Sequence, residues 1–153
     1  MKSRWGDRLR FRVIGDASYR SEALGIRGEA WDPETEIQSL CGMDIGIMPL
    51  PDDEWSRGKC GLKGLQFMAL EIPVVMENVG ANKDIVRDGV DGFLASGDDE
   101  WVSKLSALVA SADLRKNLGL EGRKTVEAHY SVDSQKAHYI EILRGLFDKP
   151  RSS

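Results

Sequence analysis

Cysteine and histidine are both scarce in this chain, with two of each, Cys41 and Cys60, His129 and His138. No CxxC pair occurs, so neither a disulfide framework nor a zinc site is expected and each thiol reads as structural or incidental. Long apolar runs are missing as well. No stretch approaches the ~18 residues needed to cross a bilayer. The opening MKSRWGDRLR lacks the apolar core of a signal peptide, which points to the cytoplasm. An excess of positive charge is also absent. With 21 basic against 25 acidic side chains the formal charge is −4, which argues against a bulk grip on nucleic acid or on an anionic membrane. Any anion site must then be local. No metal cluster, nucleophilic triad, complete P-loop, internal repeat or low-complexity linker is visible.

What is present is an alternation of short β-rich runs with segments of helical period, the pattern of a parallel sheet with crossover helices. Strands are expected at Leu9–Ile14, Gly25–Trp31, Asp44–Leu50, Pro73–Glu77 and Gly92–Ser96. Helices are expected at Pro33–Cys41, Gly61–Leu70 and Asn82–Arg87. Asp32 suits an N-cap with Pro33 at the first helical position, where no amide donor is needed. From Gly97 the pattern is helix alone, with Asp98 as the expected cap and Trp101, Leu105, Leu108 and Val109 on one face. Two further helices follow, about 112–129 and 131–147, the latter placing Ala137, Ile140, Leu143 and Phe147 along one side. The chain thus reads as an α/β fold, residues 1–150 forming one domain with about five parallel strands and C-terminal helices packed back on the sheet. A chain of this size buries roughly two thirds of its unfolded surface.

The first expected strand is unusual. In RLRFRVIG, Arg8, Arg10 and Arg12 alternate with Leu9, Phe11 and Val13, leaving one apolar and one cationic face. A central parallel strand would be apolar throughout, so this one reads as an edge strand or one that lacks a neighbour.

Two loops could carry chemistry. PLPDDEWSRGKCG follows the third expected strand and runs into a helix. Ligands of open α/β sheets sit beyond the C-terminal ends of strands, where helix N-termini present unpaired amides and a positive dipole. Arg57 and Lys59, with the amides of Gly58, Cys60 and Gly61, would converge on an anion there. In ENVGANKD, Gly80 permits a close backbone approach and Asn82 could cap the following helix. Both loops equally suit ordinary solvated connections, and spacing alone does not choose. His129 and His138 fall in the C-terminal helices, away from both loops.

Taken together, RFRVIGDA, IRGEAWDPETEIQSLCGMDIGIMPL, RGKCGLKGLQFMALEIPVVMENVGANKDIVRDGVDGFLASGDDEWVSKLSALV and LRKNLGLEGRKTVEAHYS resemble, in order and spacing, the donor-binding C-terminal half of GT-B glycosyltransferases of family 4, group 1 type. The resemblance implies a Rossmann-like half of a GT-B fold that binds a nucleotide diphosphate sugar of UDP, GDP or ADP type, with no cofactor and no metal. It further implies phosphate contacts from Arg57, Lys59 and Lys63. In the family's E-x7-E motif the second Glu meets the ribose. Gln66 stands at that position and Gly58 at the first. A carboxylate accepts from ribose hydroxyls with charge assistance that an amide lacks, a difference on the order of 1–2 kcal/mol. Glu71 replaces the Gly that usually ends the helix, and Asp84 stands for a longer Glu near the second loop.

The matched segments begin at what corresponds to the family's second strand. The resemblance therefore implies a truncated domain whose strands at Leu9 and Asp44 close up on each other across the gap or whose open edge is covered by a homodimer. It also implies that hexosyl transfer needs an acceptor domain, supplied in trans or in a longer protein, so that the isolated chain is inactive. The alternative is a non-catalytic nucleotide-binding or protein-interaction module built on the same fold.

Overall fold

The computed structural model describes residues 1–147. They fall into two compact units, Met1–Met43 and a larger one from Asp44 onward. The first holds helix α1 (Lys2–Trp5), a 3-10 turn (Gly6–Arg8), strands β1 (Arg20–Ser21) and β2 (Ile26–Arg27), and helix α2 (Glu36–Cys41). The second holds β3 (Gly46–Met48), α3 (Glu54–Arg57), α4 (Leu62–Ala69), β4 (Val74–Glu77), α5 (Asn82–Ile85), β5 (Phe93–Ala95), α6 (Gly97–Ala110), α7 (Ala112–His129) and α8 (Val132–Phe147). No helix among the described residues is long and apolar enough to cross a membrane.

The first unit departs from expectation. Leu9–Ile14 is not a strand: only Ile14 bridges in parallel to Glu29, through Gly15 N–H to the Glu29 carbonyl and Glu29 N–H to the Val13 carbonyl, at 2.9 and 2.8 Å. The second expected strand contracts to β2, which pairs antiparallel with β1. Arg12 accounts for part of this. Its guanidinium donates twice to the Glu29 carboxylate, at 2.9 and 2.6 Å, and once to the Ser39 carbonyl at 3.1 Å. Side-chain bonds thus tie this segment down where a ladder was expected. Asp32 is not a helix cap either. Its carboxylate accepts from the Glu34 amide at 2.9 Å, a local turn that delays α2 until Glu36.

In the second unit β3, β4 and β5 form a three-stranded parallel sheet in that order, with Gly46 opposite Val74 and Val75 opposite Phe93. The expected parallel α/β class holds, with three strands in place of five. The central strand β4 is the continuous apolar run: Val74, Val75 and Met76 are all buried, as a strand covered on both faces requires. Each such side chain contributes about 1.5–3 kcal/mol by leaving water. One core cluster joins Val75 and Ala95 to Leu108 of α6 and Leu118 of α7, with Trp101, Leu105 and Leu114 against it. Asp98 does not cap α6. Ser96 occupies that position and its amide donates to the Glu100 carboxylate at 2.9 Å. The expectation that all the C-terminal helices pack on the sheet fails for α8, where Val132, Tyr139, Ile140, Ile142, Leu143 and Leu146 are exposed.

The turn between α4 and β4 is a Schellman motif. Ile72 N–H donates to the Phe67 carbonyl at 3.0 Å and Glu71 N–H to the Met68 carbonyl at 3.1 Å. Phe67 and Ile72 are both buried, the apolar contact that accompanies this motif. Glu71 supplies its left-handed residue at φ +59°, the one described residue other than Gly with positive φ. Arg123 of α7 caps the same end by donating to the Ala69 carbonyl at 2.7 Å. Helix α7 lies so near that a Cβ on Gly119 would stand 2.0 Å from the Glu71 carbonyl oxygen.

Replacing Glu71 with Gly relieves the left-handed strain and is expected to raise unfolding stability by about 1 kcal/mol. Gly119→Ala is expected to lower it by about 2 kcal/mol or more, because backbone must move. Urea denaturation of the two variants checks both signs.

Candidate functional site

Because β3 and β4 are adjacent and parallel, the loops that leave their C-terminal ends emerge side by side. The first loop is more ordered than its composition suggests. Asp53 caps α3, its carboxylate accepting from the Ser56 amide at 2.7 Å. Ser56 itself is buried, and Arg57 turns back to pair with Asp52 at 2.8 Å. Gly61, in the left-handed region at φ +68°, then opens α4, and no side chain caps that helix N-terminus. A Cβ at Gly61 would stand 2.3 Å from the end of Ile85 and 3.2 Å from the Asn82 amide oxygen, so α4 begins directly against α5.

The second loop closes on the first through Gly80. It has φ +52°, and a Cβ there would lie 2.7 Å from the Arg57 carbonyl oxygen. Only glycine lets the two backbones approach so closely. Contrary to expectation, Asn82 does not cap α5 with its side chain. It is 1% exposed and its amide donates to the Glu77 carbonyl at 2.9 Å, binding the start of α5 to the end of β4. The Glu77 side chain accepts from the Trp101 indole at 2.9 Å, so α6 also steadies this strand end.

The structure therefore gathers Arg57, Gly58, Lys59, Cys60 and Gly61 on one loop, with Gly80 packed against it and Asn82 beneath. Arg57, Gly58, Lys59, Cys60 and Lys63 are exposed, whereas Gly61 is buried. Gln66 lies on the second turn of α4, half-buried, and its buried Oε1 has no hydrogen-bond partner. Ser56 Oγ is buried without a partner as well. Asp84 lies exposed on α5, where its backbone carbonyl accepts from the Tyr130 hydroxyl at 3.2 Å. His129 ends α7 and His138 lies within α8.

The charges are arranged in opposition. The ion pair with Arg57 is the main cause that lowers the Asp52 carboxyl below its ordinary value, with Lys83 adding to it. Hydrogen bonds from Ser56 do the same for Asp53, and Lys59 contributes. Both acids stay ionised at neutral pH. Arg57 is thereby partly neutralised, and the cationic character of the site rests on Lys59, Lys63 and the positive end of α4. Sequence reasoning missed the Asp53 cap and the inward Ser56, although Asp followed three places later by Ser is a cap spacing.

This is an α/β unit with a glycine-tightened, anion-suited rim at the C-terminal ends of its strands, the GT-B donor half in outline. The sequence profile of the family described as glycosyl transferases group 1 matches residues 2–111, and the chain belongs to that family. The capsular polysaccharide biosynthesis glycosyltransferase CapM of Staphylococcus aureus is 36% identical over 73 residues, which are 46% of this chain and 19% of CapM. The C-terminal domain of a group 1 family glycosyl transferase (LpcC) from Francisella tularensis is 24% identical with a TM-score of 0.59, over 72% of this chain and 56% of that one. HepE from Anabaena, solved in complex with UDP and glucose, superposes with a TM-score of 0.68 at 16% identity, covering 80% of this chain and 33% of HepE. The chain spans about a fifth of the length of the curated relatives that it matches.

Gly80→Ala is expected to cost about 2 kcal/mol, since it combines a left-handed alanine with backbone overlap at Arg57. The loss should appear as a lower thermal midpoint and as faster amide exchange along residues 53–61.

Proposed function

We propose that this chain is the donor-binding half of a group 1 glycosyltransferase and that it holds a nucleotide diphosphate sugar across the two loops. The observation that carries this reading is the uncapped N-terminus of α4, flanked by Lys59 and Lys63 and pressed against the Gly80 loop. Aligned amides and two ammonium groups form a suitable seat for a diphosphate. The relative HepE was solved with UDP, which supports the same ligand class here. Gln66 adds to it. Its buried, unpartnered Oε1 is an acceptor in need of a donor, and a ribose hydroxyl supplies one. Hexosyl transfer then requires an acceptor domain, in the same longer protein or in trans, and the isolated chain transfers little or nothing. The compartment in this reading is the cytoplasm, and the β3 edge of the sheet is a surface for that acceptor domain or for a second copy.

A second reading, a nucleotide-binding or protein-interaction module without catalysis, is favoured by one specific observation. Arg57 is occupied by Asp52, while Gly58 and Gln66 leave the motif without either carboxylate.

Titration with UDP, GDP and ADP and their hexose conjugates, followed by thermal unfolding, separates the two. A bound ligand at 100 times its Kd raises stability by about 2.7 kcal/mol, and the nucleotide that does so names the base. Lys59→Ala is expected to weaken diphosphate binding roughly tenfold, and Gln66→Glu to tighten it by up to about tenfold. No response to any nucleotide favours the second reading. Unchanged affinity in Lys59→Ala removes the assignment of that lysine.

A further inference from the structure

Trp55 is 79% exposed, although it sits on one of the more firmly held turns of the site. Asp53 caps the turn, Ser56 is buried beneath it at 2% exposure, Arg57 is clamped to Asp52, and the Arg57 backbone abuts Gly80. The indole is thus held out on a rigid base and lines a surface depression with Asp53, Glu54, Gly58 and Lys59. Among the described residues, the side chains of Trp55, Glu54 and Lys59 have no hydrogen-bond or ion-pair partner. The depression therefore offers one flat aromatic face, the free carboxylate of Glu54 and one ammonium donor within a single turn.

The charge on this side differs from that of the proposed diphosphate seat. Asp52, Asp53 and Glu54 are consecutive acids, and Arg57 is neutralised by the first of them. Since the Asp52 and Asp53 carboxyls are both held below their ordinary values, this rim is anionic at neutral pH and repels a second phosphate-bearing group. A neutral polyhydroxyl ring suits it. The C–H face of a pyranose stacks on the electron-rich face of the indole, its hydroxyls donate to Asp53 and Glu54, and Lys59 donates to a ring or hydroxyl oxygen.

We infer that Trp55, with Asp53, Glu54 and Lys59, forms a second carbohydrate subsite that takes a neutral pyranose of the acceptor, beside the donor seat at Gly58–Lys63. This rests on the donor-half reading for its meaning but not for its test. Trp55 supplies the stacking face for that ring, and its exposure keeps the ring accessible from solvent. Being solvent-facing, the residue can be replaced without disturbing the core.

The test uses the full chain labelled with nitrogen-15 at its four tryptophans, Trp5, Trp31, Trp55 and Trp101, with Trp55→Tyr identifying the Trp55 indole resonance by its loss. Methyl α-glucopyranoside, methyl α-mannopyranoside, methyl α-galactopyranoside, N-acetylglucosamine and cellobiose are titrated, and UDP, GDP and ADP separately. At least one saccharide is expected to move the Trp55 resonance, with a Kd on the order of 1–10 mM, while Trp101 stays still. By calorimetry, Trp55→Ala weakens that saccharide roughly tenfold or more, Trp55→Tyr retains it within about threefold, and nucleotide affinity is unchanged in both. The inference is overturned if no saccharide moves Trp55, if Trp55→Ala binds as well as the parent, or if nucleotides alone move Trp55, which would make the indole a nucleobase platform. Saccharide binding without nucleotide binding would leave the subsite standing and remove the donor reading.

Discussion

The burial of β4 on both faces is the constraint from which the rest of the second unit follows. Val74, Val75 and Met76 must be covered above and below. That demand places α4 and α6 against the strand, with α7 packed on α4, and sets the point where α4 must stop. The stop is made in two residues by the Schellman turn, and it is made with Glu71 at positive φ. The strain of about 1 kcal/mol is small beside the several kcal/mol from the strand's apolar burial, which is why a glutamate is tolerated where glycine would be relaxed.

The same geometry produces the site. Parallel strands deliver their following loops to one end, where Gly80 lets the two loops meet backbone to backbone and Gly61 lets α4 begin against the side chains of Ile85 and Asn82. Side chains then divide the surface by charge. Lys59, Lys63 and the α4 dipole make one part cationic, while Asp52, Asp53 and Glu54 make the adjoining turn anionic and absorb Arg57. A net charge of −4 conceals this division, because over distances shorter than about 10 Å the local arrangement governs what binds.

Among the described residues of the second unit, Ile47 on the edge strand β3 and the apolar side of α8 are exposed. Unpaired strand edges and apolar helix faces of this kind are ordinarily covered in an assembled protein. Arg12 shows the contrasting solution in the first unit, where an alternating cationic segment is bound by Glu29 and the Ser39 carbonyl and so never enters a ladder.

Much of the second unit was legible in the sequence. PVVM reads as a strand because it is an uninterrupted apolar run, and α7 was placed close to its observed limits by its helical pattern. The family was legible for the same reason, as ordered local patterns rather than single residues. The failures were of another kind. Leu9–Ile14 has strand periodicity, but a strand exists only if a neighbour completes its hydrogen bonds, and Arg12 found Glu29 instead. Asn82 has cap chemistry, but burial directed its amide to the Glu77 carbonyl. The pairing of Arg57 with Asp52, the exposure of Trp55 and the approach of Gly80 to Arg57 depend on where the atoms come to lie in space. Periodicity and local propensity are properties of neighbouring residues and are written in order along the chain; partnership and exposure are properties of distance in space, and only the tertiary structure decided them.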